Sequence, residues 1–362
     1  MDGALPVAGK AAASQSDSFV TDNGSGVRRA TTLEDLASLA GVSISTASRA
    51  LNDSPAVNIR TKQQIWKLAR ELNYPFRRHM PAGPIGAEAT IAIVVPRPQA
   101  RDARMSDPFL FELITGVGEA ARERGCDILV SHISPSSFED LSVAMSTSRA
   151  DGVVFLGQSY LHVAFNRLAE TEARFVVWGA QFAEQAYCCV GSDNLLGGRR
   201  AAMHLARLGR KRIVFLGDTE APEAFQRHRG YTEALETAGL PVDPALTVAA
   251  FFEVESAEAA TEGLLARGTP FDSIVAASDL IALGAIRALQ RAGLRVPEDV
   301  SVVGYDNVPF GRYSNPALTT VSQDTFKAGR LMVAKLLDAR AQEARRSERL
   351  PTELIVRDSC GA

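Results

Sequence analysis

Arg49 is the most chemically pointed residue of a hydroxyl-rich run, "VSISTASRALND", with Ser43, Ile44, Ser45, Thr46, Ser48 and Asn52 around it. A guanidinium takes both acceptors of a guanine edge, and hydroxyl and amide groups read the other donors and acceptors of base pairs. Such a set works only on an exposed face narrow enough for the major groove, and the neighbouring residues build one. In "LEDLASLAG", Leu33, Leu36, Ala37 and Ala40 recur at three-to-four spacing and give one helix an apolar face. Gly41 ends that helix where a left-handed residue is cheap. Ser43 or Ser45 caps a second helix, which turns Ala47, Ala50 and Leu51 inward and Ile44, Ser45, Ser48, Arg49 and Asn52 outward. Two short helices around a tight turn make a helix-turn-helix, although the same residues also suit a helical hairpin inside a core.

The flanking sequence bears on that choice. "NIRTKQQIWKLARELNY" supplies a third helix, with Ile65, Leu68, Ala69 and Leu72 inward and Lys62, Lys67 and Arg70 outward. Arg28 to Met80 holds nine Lys/Arg against four Asp/Glu, a net of +5; the whole chain is −3, so the remainder carries −8. A basic head on an acidic body is expected when one end meets phosphate and the other does not.

The run "TLEDLASLAGVSISTASRALNDSPAVNIRTKQQIWKLARELNY" resembles the head of the lactose/galactose-repressor family of bacterial transcriptional regulators. The resemblance extends to "LPTELIVRDSC" and so covers about residues 31 to 360. It implies double-stranded operator DNA as a partner, and the expected contacts are Thr32, Ser43, Ile44, Ser45, Thr46, Ser48, Arg49 and Asn52. Arg77 and Arg78 in the following linker join that set. In the family this linker forms a short helix with a groove-wedging leucine. Here Pro81, Gly83, Pro84 and Gly86 oppose a helix, and Gly83 stands at the leucine position.

With 362 residues and 46% hydrophobic content, two or three domains with real cores are expected. Residues 1–30 are small and polar, lack the basic start and apolar block of a secretion signal, and read as a disordered arm. No apolar run reaches membrane-spanning length. Cys126, Cys188, Cys189 and Cys360 lack metal-ligand spacing, which points to a reducing cytoplasm. Residues 31–74 form the head and 75–90, rich in Pro and Gly, the linker.

Beyond the linker, strands and helices alternate. "TIAIVVP", "CDILVSHIS", "ADGVVFLG" and "ARFVVWGA" read as strands with helices between them. The pattern restarts after "CCVGSDN" with helix 196–208, "RIVFLGD", helix 229–238, strand 246–251, helix 257–266, "SIVAASD", helix 281–292 and "VSVVGYD". Such alternation specifies parallel sheets covered on both faces, with ligand space outside the carboxyl ends of the strands. The fold class is therefore α/β: an all-α head and a body of two doubly wound lobes. Read without the resemblance, the lobes are simply consecutive. The resemblance implies a body like the type I periplasmic binding proteins, crossed three times, near Gly191, residues 319–322 and residues 341–349. The first lobe would then hold about 91–190 and 321–340, and the second about 191–320 and 345–360.

Polar residues that end strands face such a cleft. Asp279 in "ASDLIALGAI" does so, either as a helix cap or as a ligand contact. Arg227 in "QRHRGYTEAL" falls on the first turn of the predicted helix. The resemblance makes Arg227 and Asp279 the effector-binding pair, a guanidinium and a carboxylate facing each other to take adjacent hydroxyls of a sugar or glycoside. Trp178 ends a strand where a sugar ring can stack. Phe252, Phe109 and Asp193 fall at family pocket positions; Phe252 reads equally as core.

No Gly-x-Ser-x-Gly elbow, phosphate-binding glycine loop or metal-type His pair occurs, so neither catalysis nor a metal or cofactor is expected. The expectation is a cytoplasmic regulator, most simply a repressor of a sugar-utilisation operon. Alternatives are an activator or co-repressor-dependent regulator, a transport-type sugar-binding protein, and a doubly wound enzyme. A two-fold operator needs two heads, hence a homodimer, and the chain stops at Ala362 without a tetramer-forming heptad helix.

Overall fold

The computed structural model describes residues 32–51, 54, 56–71, 89–96, 107–147, 150–337 and 346–362. Asn52, Arg77, Arg78 and the linker residues around Gly83 lie outside these. The chain divides into two compact units, Met1–Pro81 and Ala82–Ala362.

The first unit contains α1 (Leu33–Ala40), α2 (Ile44–Leu51) and α3 (Ile59–Glu71). Thr32 caps α1 in a reciprocal box with Asp35, and Gly41 ends it at φ 66. Ser43 Oγ accepts the Thr46 N–H at 3.1 Å, so Ser43 rather than Ser45 caps α2. Leu36, Ala37, Ala40, Ala47, Ala50, Ile65 and Ala69 form the core. Five of these seven residues are alanine, so the head closes around a small apolar volume.

The second unit holds two six-stranded sheets. In chain order its first half runs β1 (Thr90–Val94), α4 (Pro108–Glu123), β2 (Asp127–Val130), α5 (Phe138–Thr147), β3 (Gly152–Leu156), α6 (His162–Ala169), β4 (Phe175–Trp178) and β5 (Cys189–Ser192). The second half runs α7 (Asn194–Arg207), β6 (Ile213–Leu216), α8 (Pro222–Thr237), β7 (Thr247–Val248), α9 (Val254–Ala266), β8 (Ser273–Ala276), α10 (Asp279–Arg291), β9 (Ser301–Asp306), α11 (Pro309–Arg312) and β10 (Thr319–Ser322). The chain ends with α12 (Thr325–Leu337), β11 (Glu348–Leu350) and β12 (Glu353–Ile355). The first sheet is parallel throughout in the order β11-β5-β4-β3-β1-β2; the second, β12-β10-β9-β8-β6-β7, is parallel except for β12. Strands β3, β4, β6 and β8 are buried along their whole length, as sheets covered on both faces require.

The lobes are interleaved rather than consecutive. The chain leaves the first sheet after Ser192, leaves the second after Ser322, and crosses last at Pro351–Thr352. The last crossing therefore follows the expected 341–349, because β11 still pairs with β5 through Leu350. Strand 246–251 shrinks to β7, since Pro244 opens a 3-10 turn that consumes Leu246. Helix α8 starts at Pro222 rather than at residue 229, so Arg227 lies in its second turn.

Candidate effector cleft and DNA-reading helix

On α2, Ile44 is 48% exposed, and Ser43, Ser45 and Arg49 are exposed while Ala47 and Ala50 are buried. Thr46 and Ser48 are half-buried. Ser43 Oγ lies 2.9 Å from Ser45 Oγ and 2.8 Å from Thr46 Oγ1, tying three hydroxyls at the start of the helix. Thr32 is committed to its cap: its hydroxyl donates to Asp35 Oδ2 at 2.8 Å and accepts the Asp35 N–H at 3.2 Å. The outer face of α2 thus carries one guanidinium among hydroxyls, the arrangement that reads base edges.

In the body, α7 and α8 touch backbone to backbone. A Cβ on Gly230 would strike the Leu195 carbonyl, and one on Gly198 the Arg227 carbonyl. This contact sets Arg227, 5% exposed, against the first turn of α7, where its Nε donates to Asn194 Oδ1 at 2.9 Å. Its Nη1 donates to the Ala277 carbonyl and stands 3.7 Å from Asp306 Oδ1. The guanidinium lies 3.7 Å above the Tyr305 ring. Asp306 also accepts from Gln323 Nε2 at 2.6 Å. Burial drives the Asp306 carboxyl well above its ordinary pKa, with Arg227 opposing.

The hydrogen bonds of Asp279 run to Thr320 and Val308 of its own lobe. Asp279 is the first residue of α10, whose cap is Ser278, so the cap reading moves by one. Its Oδ1 accepts from Thr320 Oγ1 at 2.6 Å and its Oδ2 from the Val308 N–H at 2.8 Å. Those bonds fix the turn after β9, where Asp306 and Asn307 hold φ 111 and φ 60. Non-glycine residues adopt such angles at a cost that surrounding contacts must cover. Asn307 is held further by Arg357 Nη2, 2.6 Å from its Oδ1. Asp279 is therefore a positioning residue for the turn that presents Asp306.

The first lobe brings Asp107, which caps α4 by accepting the Phe109 N–H at 2.9 Å. Burial raises its pKa, opposed by the Phe109 N–H and then by the Arg227 charge. Behind it, Phe109 and Trp178 meet with ring centroids 5.9 Å apart, tilted by 49°. Trp178 is only 5% exposed and turns its ring on Phe109 rather than on open space. Val308 of the second lobe packs into the same apolar cluster. Asp193 caps α7 beside Asn194, accepting the Leu196 N–H at 3.0 Å. Phe252 is half-buried and packs on the core of its own lobe. Across the cleft mouth Tyr160 donates to Asp218 Oδ2 at 2.7 Å, and Gln226 Nε2 to the Gln181 carbonyl at 2.9 Å.

Of the expected effector residues, Arg227 pairs with Asp306, Phe109 meets Trp178, Asp193 caps α7 and Asp279 anchors the turn after β9. Sequence reasoning missed Asp306, Asp107, Asn194 and Tyr305. The signal for Asp306 was present: it ends "VSVVGYD" as Asp279 follows "IVAAS". Among the described residues, no group of three or more His, Cys, Asp or Glu is placed to hold a metal. No described helix is long and apolar enough to cross a membrane.

A helix-turn-helix head and a two-sheet body with a polar cleft define a ligand-binding DNA regulator. The comparisons assign the family. Residues 32–75 match the bacterial regulatory proteins of the lacI family, and residues 202–360 a periplasmic binding protein-like domain. The HTH-type transcriptional regulator CelR of Thermobifida fusca is 34% identical over 92% of this chain and 99% of its own length. The transcriptional repressor CytR of Escherichia coli K12 is 32% identical over 92% and 97%. The solved CelR–cellobiose complex superposes with a TM-score of 0.65 at 32% identity, over 91% of this chain and 99% of that one. The lac repressor dimer bound to operator and an anti-inducer does so with 0.65 at 26%, over 92% and 100%. The chain belongs to the lacI family and is a DNA-binding transcriptional regulator.

Proposed function

We propose that this regulator is a cytoplasmic homodimeric repressor whose operator affinity is changed by a small sugar or glycoside bound between the lobes, and that it has no enzymatic activity. The observation that carries the effector reading is the Arg227–Asp306 pair, buried at 6% and 8% side-chain exposure and backed by an aromatic ring. A guanidinium and a carboxylate side by side offer donors and acceptors to vicinal hydroxyls. In this reading Asp306 takes the role that the sequence gave to Asp279, and Asp107 supplies a carboxylate from the opposite lobe. Phe109, backed by Trp178, forms the apolar wall, and Asp193 orients the start of α7. The 32% identity to a cellobiose-binding structure makes cellobiose the first ligand to test.

Pairing of two chains is supported by the edge of the first sheet. Ile128, Leu129 and Val130 of β2 are 41%, 40% and 48% exposed, and Phe111 of α4 is 52% exposed. An edge strand with three exposed apolar side chains calls for cover. In the head, Ser43, Ile44, Ser45, Thr46, Ser48 and Arg49 are the proposed DNA contacts, with Thr32 serving the cap. The experiment is a thermal-shift screen of mono- and disaccharides, followed by operator titration with each hit. A cellobiose-type ligand should stabilise the unaltered protein and leave Arg227→Ala unshifted.

A further inference from the structure

The body carries a second space, away from Arg227. A cavity of about 1100 Å³ is lined by one face of α7, the start of α12 and the crossing segments around Gln323 and Thr352. Four cations stand on its walls: the adjacent Arg199 and Arg200 with Arg207 two turns further along α7, and Lys327 on α12. None of the four is in an ion pair among the described residues, whereas Arg122, Arg287, Arg291, Arg295 and Arg330 each hold a carboxylate. Two acids, Asp324 and Glu353, also line it; four cations less two acids leave +2 with His204 neutral. Asp324 is already committed, accepting the Lys327 N–H at 2.8 Å to cap α12.

The groove has fixed polar parts. Arg200 Nη1 is anchored on Thr352 Oγ1 at 3.4 Å, and Thr352 is 4% exposed. Gln323, 5% exposed, lines the groove and donates to Asp306, so this space and the cleft share one buried side chain. Guanidinium groups without a carboxylate partner match phosphate oxygens bidentately. The volume is at the upper end of small-molecule pockets, about 300–1,000 Å³, and exceeds what a bare ion fills.

We propose that this crossing-side groove binds a phosphate-bearing small molecule, its phosphate held by the α7 arginines and Lys327. The site draws on both lobes and both late crossings, and its cations are not those of the cleft.

Calorimetry on the full chain at fixed ionic strength tests it with three probes: glucose 6-phosphate, inorganic phosphate and glucose. Glucose 6-phosphate should bind, and the exposed double reversal Arg199→Glu/Arg207→Glu should weaken it at least about tenfold, as should Lys327→Glu from the other wall. Arg227→Ala should leave that affinity within about twofold, which separates this site from the cleft. Tighter binding of the ester than of inorganic phosphate assigns the site to a phosphorylated metabolite, and equal binding assigns it to the free ion. Absence of binding by either phosphate, glucose binding as tightly as its phosphate, or loss in Arg227→Ala with retention in both reversals would overturn the proposal.

Discussion

The Arg227 guanidinium and the Asp306 carboxylate stand 3.7 Å apart, both almost wholly buried, with Tyr305 packed beneath the guanidinium. A buried pair of this kind is poor evidence of stability, because desolvating two charges offsets their attraction. Asp306 lies at the carboxyl end of β9, on the side where an α/β sheet takes ligands.

Removing either partner strands the other charge. Arg227→Ala and Asp306→Ala should each lower stability by about 3–5 kcal/mol and weaken cellobiose binding at least about tenfold, while operator binding persists. Denaturant unfolding and calorimetry on the same samples read both effects. Wild-type sugar affinity in both variants would place the pocket elsewhere.

Asp279 should behave differently. Burial pushes its carboxyl up to about 7, against the Thr320 hydroxyl and the Val308 N–H. A carboxyl that releases its proton near pH 3.9 when unfolded but near 7 when folded makes its full contribution to stability below about pH 4, and loses it as pH rises through about 7. Asp306, raised by burial, acts in the same direction. The unfolding midpoint should therefore fall as pH rises from about 4 to about 7, and Asp279→Asn should flatten that slope without abolishing it. An unchanged slope in Asp279→Asn would show that this carboxyl does not titrate there.

Arg49→Ala should weaken operator binding by about 1–3 kcal/mol, the worth of one bidentate arginine–guanine contact. Ile44→Ala and Ser45→Ala should shift base preference more than overall affinity. Because Arg49 is exposed, sugar binding and the melting point should stay put. Equal operator affinity at fixed salt would remove α2 from the base-reading role.

Tyr160 and Asp218 join the lobes at the cleft mouth through a 2.7 Å hydrogen bond. Tyr160→Phe deletes that bond and little else, so it should open the lobes by about 0.5–1.5 kcal/mol. Small-angle scattering of the ligand-free protein would show a larger radius of gyration, and sugar affinity would drop by the matching factor. No change in either would make the contact incidental.

The sequence carried the architecture further than it carried the site. Runs such as "RIVFLGD" and "SIVAASD" read as strands because they are short, β-branched and closed by Gly-Asp or Ser-Asp, and the structure buries all four strand residues of each. The three-residue β11 has no such pattern, and only its pairing with β5 shows that the chain is still in the first lobe at Leu350. Arg227 alone reads as an ordinary helix charge; its burial depends on the glycine contact between α7 and α8, which is tertiary. Asp306 ends the buried strand β9, whereas Asp279 opens α10 three residues after β8, and the two local sequences, an apolar run followed by Asp, look alike. Asp306, which pairs with Arg227, has a reversed backbone at φ 111, and composition does not encode that angle.

A ligand held by Arg227 and Asp306 should control DNA binding by the head. The direct measurement is fluorescence anisotropy on an operator fragment selected from genomic DNA, titrated with cellobiose and other disaccharides. At least one sugar should change operator affinity in the unaltered protein by about 1–3 kcal/mol, the usual range of allosteric coupling, and none should do so in Arg227→Ala or Asp306→Ala. The same sugar response in both variants, or no sugar response in the unaltered protein, would contradict the account.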